Sequence, residues 1–250
     1  MKRLFAYVLS ALAIVVCGGV PAHAQTKSLR HLVYAFSVGQ QGDQHDTESA
    51  SGNAGGPMGA PVTGSGSTDY GATVSDKGTI SIDIMGIQPD KGLVVSVSEA
   101  GQNGRNAAAD TCAVFADTST TCQNPQGVNP EEISVIRLLA PHFYDPSALD
   151  GKQHWHEGGA NKNGSTSIDF TVTKNVNGML TISEHRQMTQ IGVGAMTMNA
   201  DSTIGYDVQH FVPTSIKEYS TLRKQLPSGG YFNQTSDTEL TLQSDSMGSE

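Results

Sequence analysis

His154-Trp155-His156-Glu157 is the densest set of groups able to do chemistry in this chain. On an extended strand alternate side chains share a face, so the two histidines point the same way, a spacing that transition-metal sites use. A bound ion would take at least one further His or carboxylate from a distant segment, because Glu157 points to the opposite face. The plainer reading is that Trp155 anchors the start of a strand and leaves His154 and His156 in water. His31, His45, His142, His185 and His210 occur singly.

Cys112 and Cys122 form the second set. In an oxidising compartment two such cysteines pair, and the expected bridge staples a strand, Cys112 to Asp117, to the turn at Thr118-Ser119-Thr120. A two-thiol metal site would need a nearby His or a third Cys, and neither stands there. Nucleophilic motifs are missing: there is no Gly-x-Ser-x-Gly elbow, no His-Glu-x-x-His helix and no phosphate-cradling glycine loop. A triad built from distant residues is defined by geometry, which one sequence does not test. Gly192-Val193-Gly194 reads as a bulge or a close backbone approach in a strand. Glu131 and Glu132 are explained by helix capping. The chain therefore reads as non-enzymatic, with no catalytic residue and no cofactor assigned.

What must position these residues begins with an address. Lys2 and Arg3, the apolar run Leu4 to Val16 and the small residues of Ala22-His23-Ala24 have the order of an export signal over residues 1–24. The apolar run is too short for a retained membrane span. Cys17 raises a lipoprotein alternative, but Val16 stands where such signals carry Gly, Ala or Ser. Without Lys2 and Arg3, 13 basic residues face 24 acidic ones, a formal charge of -11. Such a surface repels phosphate backbones and argues against nucleic acid as a partner. The expected mature protein is periplasmic or extracellular, one β-rich domain over residues 25–250.

The strands announce themselves by a two-residue period. His31 to Val38 is the first, with either Leu32, Tyr34 and Phe36 or Val33 and Ala35 facing inward. Residues 39–68 are Gly-, Ser- and Gln-rich with almost no large apolar side chain, and are expected to form a mobile loop. Ile80, Ile82 and Ile84 alternate with Thr79, Ser81 and Asp83. Pro89-Asp90-Lys91-Gly92 then turns the chain into Leu93 to Ser98. A second loop is expected at 101–110. Asn129-Pro130-Glu131-Glu132 starts a helix with Ile133, Ile136, Leu139 and Ala140 on one side, stopped by Pro141, and Asp145-Pro146 begins one more turn. Hairpins follow, with turns expected at Asn175-Val176-Asn177-Gly178, Asn199-Ala200-Asp201-Ser202 and Pro227-Ser228-Gly229-Gly230.

Leu149-Asp150-Gly151-Lys152-Gln153-His154-Trp155, with Thr203-Ile204-Gly205-Tyr206-Asp207 and Val212-Pro213-Thr214-Ser215 later, resembles a pattern in exported bacterial proteins of uncharacterised function. Those proteins are similar to the half-barrel of periplasmic lipoprotein carriers, in which a curved antiparallel sheet wraps helices over an apolar cavity. The resemblance spans about the last 100 residues and carries over no functional residue. It implies a mainly β fold, a curved antiparallel meander with one short helical segment, holding an apolar or amphipathic small molecule or lipid between sheet and helix. Two other functions fit the residues: metal binding through His154 and His156, and a structural or adhesive role at the cell surface.

Overall fold

A computed structural model describes residues 28–49, 65–88, 92–104, 106–115, 119–139, 153–192, 194–227 and 229–247. The expected export signal, Cys17, Ala140, His142 and the Asp145-Pro146 turn lie outside these residues. The described chain is one antiparallel sheet of eleven strands with a single short helix. Five strands precede the helix: β1 (Arg30–Ser49), β2 (Ser65–Gln88), β3 (Gly92–Gly101), β4 (Asn106–Val114) and β5 (Thr120–Cys122). Six follow it: β6 (His154–Asn161), β7 (Gly164–Val176), β8 (Met179–Gln190), β9 (Met196–Asp207), β10 (Val212–Gln225) and β11 (Tyr231–Met247). Each group is a meander of sequential hairpins. They are joined where the first strand pairs with the last, so the order runs β5-β4-β3-β2-β1-β11-β10-β9-β8-β7-β6.

Alternation decides which face is core. Leu32, Tyr34, Phe36 and Val38 of β1 are buried, settling its register, and Ile80, Ile82 and Ile84 of β2 and Val95 and Val97 of β3 continue the same surface. Ile168 and Phe170, Leu180 and Ile182, Ile204 and Tyr206, then Ile216 and Leu240 extend it through the second meander. All belong to one cluster with Val135, Ile136, Leu138 and Leu139 from the helical segment. Ten helical residues cannot cover one face of so many strands, so the sheet curls until its own halves cover each other. Ser119, just before β5, and Gly158–Asn161 of β6 line one cleft of about 410 Å³, although β5 and β6 are the two ends of the sheet. The result is a barrel left open along one seam.

The helix α1 (Pro130–Ile136) and the 3₁₀ turn Arg137–Leu139 lie inside that curl. Glu132 accepts a 2.6 Å hydrogen bond from the Asn129 backbone N–H, half of the expected capping box. One apolar side was expected. Instead Glu131, Glu132, Ser134 and every residue from Val135 to Leu139 are buried, because the sheet surrounds the helix on several sides. The four apolar ones are 0% exposed, so no water-sized void lies beside them. Around these four side chains the contact between helix and sheet is filled.

Three sequence expectations are corrected. Residues 39–49 and 65–68 are strand rather than loop: Gly39 to Ser49 pair with Ser75 to Ser65, and Gly39 to His45 also pair with β11. The hairpin extends past the core, where backbone ladders carry on through Gly, Gln, Ser and Thr. The Phe232 ring lies 3.0 Å from where a Cβ on Gly42 would stand. The loop expected at 101–110 contracts to the turn between Gly101 and Asn106. Asn199-Ala200-Asp201-Ser202 is mid-strand in β9, with Ala200 and Ser202 facing inward; the turn falls at 208–211. Turn-type residues sit there because the inner face opposite the helix is polar. The turn at Asn177-Gly178 stands as expected, with φ of 52° and 81° as a two-residue hairpin requires. Gly192 and Gly194 lie in the β8–β9 connection, outside any strand.

Candidate functional site

Three places carry groups beyond packing. The first is at one end of the barrel, among the termini of the central strands, where register shifts at Val33/Tyr34, Ile84/Gly86 and Pro213/Ser215 twist neighbouring strands away from regular pairing. Shifts of this kind free backbone groups, and the Tyr34 hydroxyl donates to the Pro213 carbonyl at 2.8 Å across the interior. Beside them opens a cleft of about 640 Å³. Leu29, Ile84, Ile87, Leu93, Phe211 and Met247 supply its apolar wall. Leu29, Ile87 and Met247 are 58%, 63% and 79% exposed, unusual for side chains of that size. Phe211 reaches the cleft from a left-handed backbone (φ 54°), a conformation that costs an aromatic residue about 1 kcal/mol or more. Arg30, held bidentately by Asp245, gives the wall a polar border with Gln209 and His210.

His210 is tied to Asp207 at 2.7 Å. Desolvation raises the Asp207 carboxyl, but hydrogen bonds from the His210 ring and from the His210 and Gln209 backbone N–H groups outweigh it, and the net shift is downward.

The second place is the outer face of β6 to β9, where His154 and His156 lie, both largely exposed. Trp155 between them turns inward and stacks on Phe170 of β7, ring centroids 4.7 Å apart. The register places Asp169 directly opposite His156, His185 opposite Asp169, and Asp201 opposite His185. A row of alternating imidazole and carboxylate thus crosses four strands. His156 Nδ1 is 2.9 Å from Asp169 Oδ1, His154 Nε2 is 4.0 Å from the same oxygen, and His185 Nδ1 is 2.7 Å from Asp201 Oδ1. His154 Nδ1 also lies 3.2 Å from the Thr171 hydroxyl. Asp169 and His185 were not visible as site residues in the sequence. Only cross-strand register brings them to His156.

The third is buried. Arg137, at the end of the helical segment, is paired at 2.5 Å with Glu184 of β8, and Arg186 of β8 is held by both oxygens of Glu218 of β10 at 3.0 Å. Ser202 donates to Glu218 at 3.1 Å. Burial, then the Arg137 charge, lowers the Arg186 guanidinium's affinity for its proton; Glu218 and Glu184 oppose them. Every charge here has an opposite partner, so the cluster reads as the polar contact between helix and sheet.

Cys112 and Cys122 are cross-strand partners in β4 and β5 and form a disulfide. With Asp110 they are the one set of three potential metal ligands, among the described residues, whose ligand atoms lie within 4.8 Å of one another. Both sulfurs are consumed in the bridge, and Asp110 accepts from the Thr111 and Asn124 backbone N–H groups. No helix among the described residues is long and apolar enough to cross a membrane.

No family model and no curated protein matches the sequence. Among solved structures, one of lipovitellin, described by its lipid–protein interactions, is similar at a TM-score of 0.44 and 8% identity, over 90% of this chain. This chain spans 26% of that one. At that score the likeness assigns neither kinship nor function, and what the chain is remains carried by its own geometry.

Proposed function

We propose that this chain is an exported, non-enzymatic binding protein that takes an apolar or amphipathic ligand, a lipid or a small molecule of similar character, into the cleft at the end of its curled sheet. The carrying observation is that cleft: about 640 Å³, walled by Leu29, Ile84, Ile87, Leu93, Phe211 and Met247. Its volume falls in the range of ligand sites, and a few polar groups at one border are what an amphipathic ligand needs for orientation. The tail would lie on the apolar wall and the polar end against Gln209, His210 and the Arg30–Asp245 pair. The sequence placed such a ligand between sheet and helix, where the described side chains leave no void, so the reading moves to the rim. Export rests on the order of residues 1–24 and is supported by the Cys112–Cys122 bridge.

The test uses the dye 1-anilinonaphthalene-8-sulfonate as an amphipathic probe, with native mass spectrometry to detect co-purifying adducts. Ile87→Asp with Leu29→Asp places two charges on exposed wall positions and should weaken dye binding by about tenfold or more. Val74→Asp, at an exposed apolar residue at the opposite end of β2 from Ile87, should leave it unchanged. Equal dye binding by the double variant and the parent would overturn the proposal.

A further inference from the structure

We propose that His154, His156 and Asp169 form a binding site for one borderline divalent transition ion, Zn²⁺ or Cu²⁺, on the outer face of β6 and β7, with His185 of β8 completing the row. The site is independent of the apolar cleft. Its first support is convergence on one oxygen: Asp169 Oδ1 lies 2.9 Å from His156 Nδ1 and 4.0 Å from His154 Nε2. Two donors on a tetrahedral zinc, each about 2.0–2.1 Å from the metal, stand about 3.3 Å apart. The two observed separations bracket that value, while His154 Nε2 and His156 Nδ1 stand more than 4.8 Å from each other and come together only on an ion.

The second support is that strand geometry fixes the spacing. His154 and His156 are two residues apart on β6, and Asp169 is the cross-strand partner of His156. The backbone therefore delivers two imidazoles and a carboxylate to one patch without a loop. Closing them around an ion turns the two imidazoles toward each other, and at 61% and 57% exposure both have room to turn.

His185 of β8, the cross-strand partner of Asp169, stands next in the row. Imidazole nitrogens with a single carboxylate favour zinc or copper over magnesium or calcium, which take all-oxygen shells. Two imidazoles and one carboxylate leave the fourth position of a tetrahedral ion to water.

Isothermal titration of the tag-free chain with zinc chloride, and separately with copper(II) chloride, tests the site. One ion per chain is expected, with a dissociation constant of about 10 µM or tighter. Asp169→Asn and the double variant His154→Ala/His156→Ala should each weaken binding by about tenfold or more. His31→Ala removes another carboxylate-paired histidine, on β1 at the middle of the sheet, and should change nothing, and magnesium chloride should give no saturable heat. Thermal melts confirm that the variants fold, as their exposed positions lead one to expect. Absence of saturable one-to-one binding, or binding unaltered by His154→Ala/His156→Ala, would overturn the proposal.

Discussion

The two meanders use the same hairpins and the same alternation, yet their inner faces differ. In β1 to β3 the middle of the inward row is apolar, from Leu32, Tyr34 and Phe36 through the three isoleucines of β2 to Val95 and Val97, and the two buried carboxylates, Asp76 and Glu99, stand at one end of it, where Asp76 accepts from the Lys77 and Asn103 backbone N–H groups. In β8 to β10 the apolar row is interrupted by Glu184, Arg186, Ser202 and Glu218, which meet Arg137 from the helical segment. Along that apolar stretch the first half meets the helical segment through shape and apolar area alone. The second accepts only a partner that returns its charges in the right places. The difference teaches how a short helix is fixed in one orientation inside a curled sheet: hydrocarbon holds it in, and ion pairs set its rotation.

The largest test of that contrast is Arg137→Met, which leaves Glu184 buried without its closest cation and should cost about 3–5 kcal/mol in chemical denaturation. Arg186, 4.0 Å from Glu184, keeps the cost toward the low end. Converting both partners, Arg137→Met with Glu184→Met, should return stability to within about 1 kcal/mol of the parent, since a matched apolar pair carries no desolvation penalty. A small loss in the single variant would erase the distinction between the halves.

Ile82→Ala, in the hydrocarbon half, should cost about 3 kcal/mol by the same measurement, from lost burial and the cavity left behind. No second substitution at a charged position should rescue it.

The smallest effect concerns the second meander's turn. Asp207 binds protons less readily in the folded chain than its ordinary value of 3.8 implies. A depressed carboxyl contributes stability above the unfolded value and loses it as pH falls through the folded one. Asp207→Asn should therefore destabilise the protein by about 0.5 kcal/mol or less at pH 7, the contribution being screened by water. Urea midpoints of parent and variant should converge as the pH drops below 3.8.

Much of the sheet was legible because alternation is a local signal. Ile80-Ile82-Ile84, Ile168-Phe170 and Leu180-Ile182 declared their inward faces, and Asn177-Gly178 declared its turn. The polar extension of β1 and β2 was not legible, since a ladder beyond the core needs no apolar residues. Ala200 and Ser202 misled for the opposite reason, being small and polar inside a strand because the helix brings polar groups to them. The far half of the imidazole–carboxylate row was hidden by a register shift. Counting back from the Val176↔Met179 pair would set Asp169 opposite Arg186; the shift between Val172 and Lys174 sets it opposite His185 instead. Asp169 faces His156 across the unshifted β6–β7 ladder, so finding it needed only the turn between Asn161 and Gly164.

The pairing of the first strand with the last has a consequence for how the chain folds. Residues 30–45 of β1 find their partners in 231–247 of β11, so the central ladder of the sheet closes the longest loop the described chain contains. Contacts so distant along the chain carry a high contact order, and sheets dominated by them form in about milliseconds to seconds rather than microseconds. Either meander can assemble hairpin by hairpin as it is made. Their union waits until the carboxyl-terminal strand is available, which makes β11 the element that turns two partial sheets into one.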